Sequence, residues 1–261
     1  CYFNFLALLR AHRVTVVSVP MTAEGPDLAA FEHALVTHRP RLYITNSGVH
    51  NPTGATLSLT TAHRLLRLAD AHDLTIIEDD IFADFDEEPA PRLAALDGLE
   101  RVIQIGSFSK TLSAAVRCGY VAIRADWMDR LVDLSIATAF GAGRLSSELV
   151  LRVIQDGSYR RHVQTLRARL RKARRATIER LGALGIVPWI EPRAGMFLWC
   201  QLPGGMDAAE CARAALAQGV VLAPGDVFSL TRTAPDFMRF NVAQCVAPGA
   251  AGLLEQVFAP G

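Results

Sequence analysis

Three short stretches, residues 41–45, 74–77 and 102–105, each run into residues suited to chemistry. The first leads into Asn46-Ser47-Gly48-Val49-His50-Asn51-Pro52-Thr53-Gly54, the second into Glu78-Asp79-Asp80-Ile81-Phe82, and the third into Gly106-Ser107-Phe108-Ser109-Lys110-Thr111. A lysine among serines and a glycine has little apolar reason to stand there. Lysine loses its proton readily when desolvated and can then attack an aldehyde. Ser107 and Ser109 can donate hydrogen bonds to a phosphate, and Arg117 can clamp it with two parallel bonds. Asp79 can pair with a protonated ring nitrogen and so keep the ring electron-withdrawing. Asn51 can hold a phenolic oxygen.

For these side chains to meet, the segments bearing them must be neighbouring strands. Residues 14–19, 41–45, 74–77 and 102–105 have the apolar, β-branched character of strands. Residues 27–36 are predicted as a helix capped by Asp27. Residues 60–72 form a second, with Ala62, Leu65, Leu66 and Ala69 on one face. Strand, helix, strand at these spacings means βαβ units and a mostly parallel sheet, which places ligands beyond the carboxyl ends of the strands. Residues 118–123 follow Lys110 too closely for a crossover and are expected to return antiparallel. Helices are predicted over 126–139, 147–155 and 159–184. Strands follow at 186–190, 196–202, 220–223 and 237–242, with a helix at 208–217. The fold class is therefore α/β: a mostly parallel sheet with flanking helices over residues 1–140, connecting helices over 141–185, and a smaller α+β domain over 186–261.

Composition narrows the function classes. The chain has 261 residues, is 51% hydrophobic and carries a net charge of +1, so no global field points to nucleic acid or a membrane surface. No apolar run is long enough to span a bilayer, and a cytoplasmic protein is the expectation. Cysteines stand at 1, 118, 200, 211 and 245 without a C-x-x-C pair, which argues against a disulfide framework or a zinc site. Lys110 and Lys172 are the only lysines among 27 basic residues, which makes a lysine in a small-residue loop conspicuous. Arg160, Arg161, Arg167, Arg169, Arg171, Arg174 and Arg175 would suit nucleic acid, but a solvated helix face is the preferred reading. Asp84, Asp86, Glu87 and Glu88 are taken as a solvated loop rather than a metal site. His50 is read as packed at a pocket edge rather than touching a substrate, Trp189 and Trp199 as core, and Gly195 as a backbone requirement.

A reactive lysine, phosphate donors, an acid for a ring nitrogen and an amide for a phenolate together describe a pocket for pyridoxal 5′-phosphate. The sequence resembles the fold-type-I pyridoxal-phosphate enzymes of the aspartate aminotransferase superfamily, class I/II. The stretches that carry the resemblance are Asn51-Pro52-Thr53-Gly54, Asp79, Ser107-Phe108-Ser109-Lys110, Arg117-Cys118-Gly119-Tyr120 and Arg239-Phe240-Asn241. The resemblance implies that Lys110 bonds the cofactor and Asp79 faces its ring nitrogen. It implies that Asn51 binds the ring hydroxyl, and that Ser107, Ser109 and Arg117 bind the phosphate. Arg239 would grip the substrate carboxylate, and Tyr2 would stack over the ring. Two departures stand out. Phe82 occupies the place where the family has a tyrosine bonding the ring hydroxyl. The family's N-terminal segment, with its glycine-rich phosphate loop, is expected to lie outside a chain that begins Cys1-Tyr2-Phe3.

Tyr2-Phe3-Asn4-Phe5, Glu78-Asp79-Asp80, Gly106 through Ser113 and Arg239-Phe240-Asn241-Val242 are most similar to the MocR subgroup of GntR-type transcriptional regulators. There an aminotransferase-like domain senses an amino acid or amine. DNA would be bound only through an N-terminal winged-helix domain absent from this chain. The alternative is a free-standing aminotransferase that transfers an amino group between an amino acid and a 2-oxo acid. A third class, a domain that has lost its cofactor, conflicts with the joint presence of Lys110, Asp79, Asn51, Arg117 and Arg239. Under either of the first two readings the resemblance implies a homodimer.

Overall fold

The computed structural model describes residues 3–141 and 143–258. It separates into two compact units: one of residues 19–49 and 56–167, the other of 1–18, 50–55 and 168–261. The long helix Ser158–Ala183 contributes to both. Among the described residues no helix is long and apolar enough to cross a membrane.

The unit of residues 19–49 and 56–167 is built on a four-stranded sheet in the order Leu42–Thr45, Thr75–Asp79, Val102–Ser107, Gly119–Ala122. The first three strands are parallel, and the fourth returns antiparallel as its short connection requires. Helix Leu28–His38 starts where the Asp27 side chain accepts from the Ala30 amide at 2.9 Å. Helix Leu59–Ala71 starts where Ser58 accepts from Thr61 at 3.2 Å. Their apolar faces, with Phe31, Leu35, Ala62, Leu65 and Ala69, close a core against Leu74, Ile76, Leu93 and Val102. Leu66 packs only partly buried at its margin. Residues 14–19 form no strand, contrary to expectation. β-branched residues suit a strand, but a strand needs a ladder partner, and Val14 and Val17 are exposed.

Strand Thr75–Asp79 ends in three carboxylates whose directions follow the two-residue repeat of a strand. Ile76 and Glu78 point into the helix-covered core, and both are wholly buried. The Glu78 carboxylate accepts from the amides of Leu93 and Ala94, each at 2.9 Å, and from the Ser47 hydroxyl. It thereby satisfies the free amides that open helix Leu93–Asp97. Asp80, buried on the same side, accepts from Arg92 Nε at 2.6 Å and Gln104 Nε2 at 3.0 Å. The guanidinium of Arg92 passes so close to Gly48 that a Cβ there would lie 2.8 Å from Nη1, so Gly48 leaves room for the ion pair.

The other unit carries a second sheet, ordered Val187–Pro188, Phe197–Gln201, Phe237–Asn241, Ala223–Pro224, with all pairs antiparallel. Leu198, Cys200, Met238 and Phe240 line its buried face. The C-terminal helix Ala250–Phe258, not anticipated from the sequence, sets Phe258 edge-on to Phe240 with centroids 5.8 Å apart. Helix Ala208–Ala217 has the bounds expected of it. Trp199 is core, stacked on Phe237 at 5.2 Å. Trp189 is not: it follows a two-residue edge strand and remains 39% exposed. Gly195 adopts φ +86°, the backbone requirement anticipated for it.

Asp80 generates a pH prediction. Burial, opposed by Arg92, pushes its carboxyl up from the ordinary 3.8 to about 6. Protonation therefore favours the folded state, and this contribution, complete below about pH 4, is lost as pH rises through about 6. Urea unfolding midpoints measured across that interval should decline less steeply with pH in Asp80→Asn than in the wild type. Identical slopes would contradict the burial of an ionisable Asp80.

Candidate active site

Asp79 stands where its strand leaves the sheet, level with Ile105 on one neighbour and following the pairing of Thr45 with Glu78 on the other. Its side chain lies on the face opposite Glu78 and Asp80. The carboxylate accepts from the Ile81 amide at 3.2 Å, and its carbonyl receives the Asn46 side-chain amide at 3.1 Å. Burial raises the Asp79 pKa, and the Ile81 amide offsets part of that rise. The outcome is a half-buried carboxylate, with no cationic partner among the described residues, on the sheet face away from the helix core.

Next along the same edge, strand Val102–Ser107 delivers the lysine loop. The Ser107 amide position pairs with Gly119 of the returning strand. Ser107 Oγ accepts from the Ser109 amide at 3.1 Å and donates to Ser109 Oγ at 3.0 Å. The Phe108 amide reaches the Cys118 carbonyl at 3.1 Å, and the Leu112 amide reaches the Phe108 carbonyl at 2.8 Å. The backbone around Lys110 is thus held on both sides, while its side chain is exposed and makes no hydrogen bond or ion pair with the described residues. Arg117, also exposed, caps the one-turn helix Ala114–Val116 in the left-handed conformation, φ 50°. It arrives two residues before the strand that flanks Ser107.

These residues pass a chemical test of fit. A phosphorylated pyridine aldehyde needs hydroxyl and cationic donors for the phosphate, an amine for the aldehyde and an acid for the ring nitrogen. Ser107, Ser109, Arg117, Lys110 and Asp79 supply each type on one edge of one sheet. Phe82 is buried against Phe85, with ring centroids 6.1 Å apart, and offers no donor.

In the other unit, Arg239 lies opposite Trp199 in register, on the sheet face that alternates with that of Met238 and Phe240. Its Nη1 donates to Asn51 Oδ1 at 2.8 Å. The guanidinium carbon sits 3.9 Å from the centroid of Phe197 and 4.7 Å from that of Phe228. Two aromatic faces and an amide thus fix a planar cation suited to a carboxylate. His50 bonds Thr53 Oγ1 at 2.7 Å, and burial lowers its pKa, in keeping with a packed loop histidine. Tyr2 lies outside the described residues.

The acidic loop differs from its expected character. Glu87 and Glu88 are exposed, but Asp86 is buried and caps the amides of Glu88 and Ala90, and Asp84 accepts from the Tyr159 hydroxyl. Short side chains near a chain reversal find backbone and side-chain donors before they find water. No group of acids, histidines or cysteines among the described residues is placed to hold a metal. The structural roles of Glu78, Arg92 and Tyr159 were not legible from the sequence.

Comparison with known proteins bears on the family and the fold. Residues 1–256 match the family described as aminotransferase class I and II. The chain is 29% identical over 257 residues to a 2-aminoadipate transaminase of Thermus thermophilus, covering 96% of this chain and 64% of that protein. It is 33% identical over 153 residues to the HTH-type transcriptional regulator NorG of Staphylococcus aureus, covering 58% of this chain and 35% of the regulator. Among solved structures, LysN, the α-aminoadipate aminotransferase of Thermus thermophilus complexed with N-(5′-phosphopyridoxyl)-L-leucine, superposes with a TM-score of 0.88 at 27% identity, covering 99% of this chain and 70% of that one. The chain spans between about a third and two-thirds of the length of these two curated relatives. With its α/β fold, its ordered motifs and a family match over nearly its whole length, the chain belongs to the class I and II aminotransferases, the pyridoxal-phosphate proteins of fold type I.

Proposed function

We propose that this chain is the pyridoxal-phosphate-binding effector domain of a MocR-type transcriptional regulator, taking an amino acid or amine as its ligand. The observation that carries the binding site is Lys110: an exposed amine, without a hydrogen bond or ion pair among the described residues, on a backbone held from both sides, at the sheet edge that also bears Asp79. When bound, the cofactor supplies an aldehyde for that amine, with water leaving, and a ring that accepts electrons from the ligand. Asp79 would hold the proton on the ring nitrogen, a role left open by its having no cationic partner among the described residues. Ser107, Ser109 and Arg117 would bind the phosphate. Asn51 would bind the ring oxygen and Arg239 the ligand carboxylate. Tyr2 would cover the ring.

The regulator reading is supported by similarity to NorG and to YdfD of Bacillus subtilis, an HTH-type transcriptional regulator 28% identical over 87% of this chain. Phe82 supports it too, since a cofactor with fewer donors at its ring oxygen suits sensing over fast turnover. DNA would be contacted by a winged-helix domain outside these residues, and the protein would act as a cytoplasmic homodimer. The second reading, a free-standing aminotransferase, is favoured by the 2-aminoadipate transaminase, which matches 96% of the chain. The reading frame upstream separates the two: a winged helix there supports the regulator, and its absence supports the enzyme.

Borohydride reduction of the full-length protein loaded with pyridoxal phosphate, followed by peptide mapping, should leave the pyridoxyl group on Lys110. A label on Lys172, or none, contradicts the assignment. Asp79→Ala should weaken cofactor binding, measured by absorbance titration, by about ten-fold or more, the scale of losing one charge-assisted hydrogen bond. Asp80→Ala, tested in parallel at a pH where it remains folded, should bind more tightly than Asp79→Ala. The reverse order would mean that the strand presents the other carboxylate.

A further inference from the structure

The Lys110 side chain makes no hydrogen bond or ion pair with the described residues, so its position rests on the residues beside it. Thr111, the next residue, is buried, with 2% of its surface exposed. Its Oγ1 lies 2.9 Å from Tyr159 Oη, and its carbonyl 2.7 Å from His162 Nε2. The Tyr159 hydroxyl also bonds Asp84 Oδ2. A phenol has one proton. A carboxylate only accepts, so that proton goes to Asp84, and the Thr111 hydroxyl must then donate to Tyr159. The carbonyl of Thr111 also only accepts, so His162 carries its proton on Nε2. Arg167 Nε donates to the Asp84 carbonyl at 2.7 Å and steadies the end of the chain of bonds. The Tyr159 ring meets Phe108 edge-on at 5.6 Å, so it touches the lysine loop both before and after Lys110. Burial, then the Asp84 carboxylate, raises the phenol pKa, which keeps the proton in place.

We infer that Tyr159 is a positioning residue for Lys110, acting through the Thr111–Tyr159–Asp84 hydrogen-bond chain. This rests on the reading of Lys110 as the cofactor lysine. Its effect is to fix the peptide from which the reactive amine projects, so that bond formation does not wait for the loop to order.

The test follows labelling in time. Full-length protein freed of cofactor is mixed with pyridoxal phosphate, sampled into borohydride, and the pyridoxyl label on the Lys110 peptide is quantified by mass spectrometry. Thermal unfolding of each variant is recorded in parallel. Thr111→Ser, which keeps the hydroxyl, should label at the wild-type rate. Tyr159→Phe, which keeps the ring, and Thr111→Val should each label about ten-fold more slowly. The double variant should be no slower than either single one, because both delete the same chain. Equal rates in all variants, whatever their melting temperatures, overturn the inference and leave the Lys110 assignment standing. Multiplying losses in the double variant also overturn it. Wild-type protein that labels elsewhere than Lys110 overturns the cofactor assignment itself, and the inference with it.

Discussion

Three successive carboxylates at the end of one strand cannot all face the same way, and the site depends on how they divide. The strand repeat sends Glu78 and Asp80 to the helix side and Asp79 to the other. Each of the first two is then tied down by buried partners: amide groups of a helix start for Glu78, Arg92 and Gln104 for Asp80. Removing a partner from a buried carboxylate is costly, so rotating the strand to exchange Asp79 with Asp80 would break both sets of bonds. The polar core beneath the sheet therefore specifies which acid is presented on its other face.

The two cations proposed to meet ligands, Lys110 and Arg239, are held in opposite ways. Lys110 is without a partner among the described residues and its backbone is fixed, as would suit a group that forms a bond. Arg239 is fixed at the guanidinium itself by Asn51, Phe197 and Phe228, which suits a group that only receives a carboxylate. Lysine is a flexible point charge and arginine a rigid fork, and the two arrangements match those properties.

The placement of most candidate residues at strand ends was legible because it is local. Strand, turn and chemical residue lie within a few positions of one another at Asn46–Gly54, Glu78–Phe82 and Gly106–Thr111, and the short link to residue 118 fixed an antiparallel return. Helix starts at Asp27 and Ser58 are local too, though only the first was read. What failed was long-range. Residues 14–19 look like a strand until a partner is required. Trp189 is apolar enough for a core but sits beside an edge strand. Asp84 looks like a surface acid until Tyr159, 75 residues later, is brought to it. No local pattern pairs those two residues, nor Glu78 with the amides of Leu93 and Ala94, because backbone donors leave no signature in a sequence.

The central claim is that one edge of the sheet presents Lys110 and Asp79 to a single cofactor. A crystal structure of the full-length protein grown with pyridoxal phosphate tests it most directly. The account predicts electron density continuous from Lys110 Nζ into the cofactor, the ring nitrogen beside the Asp79 carboxylate, and Asp80 still on Arg92. A cofactor joined to another residue, or a ring nitrogen facing Asp80 with Arg92 displaced, would contradict it.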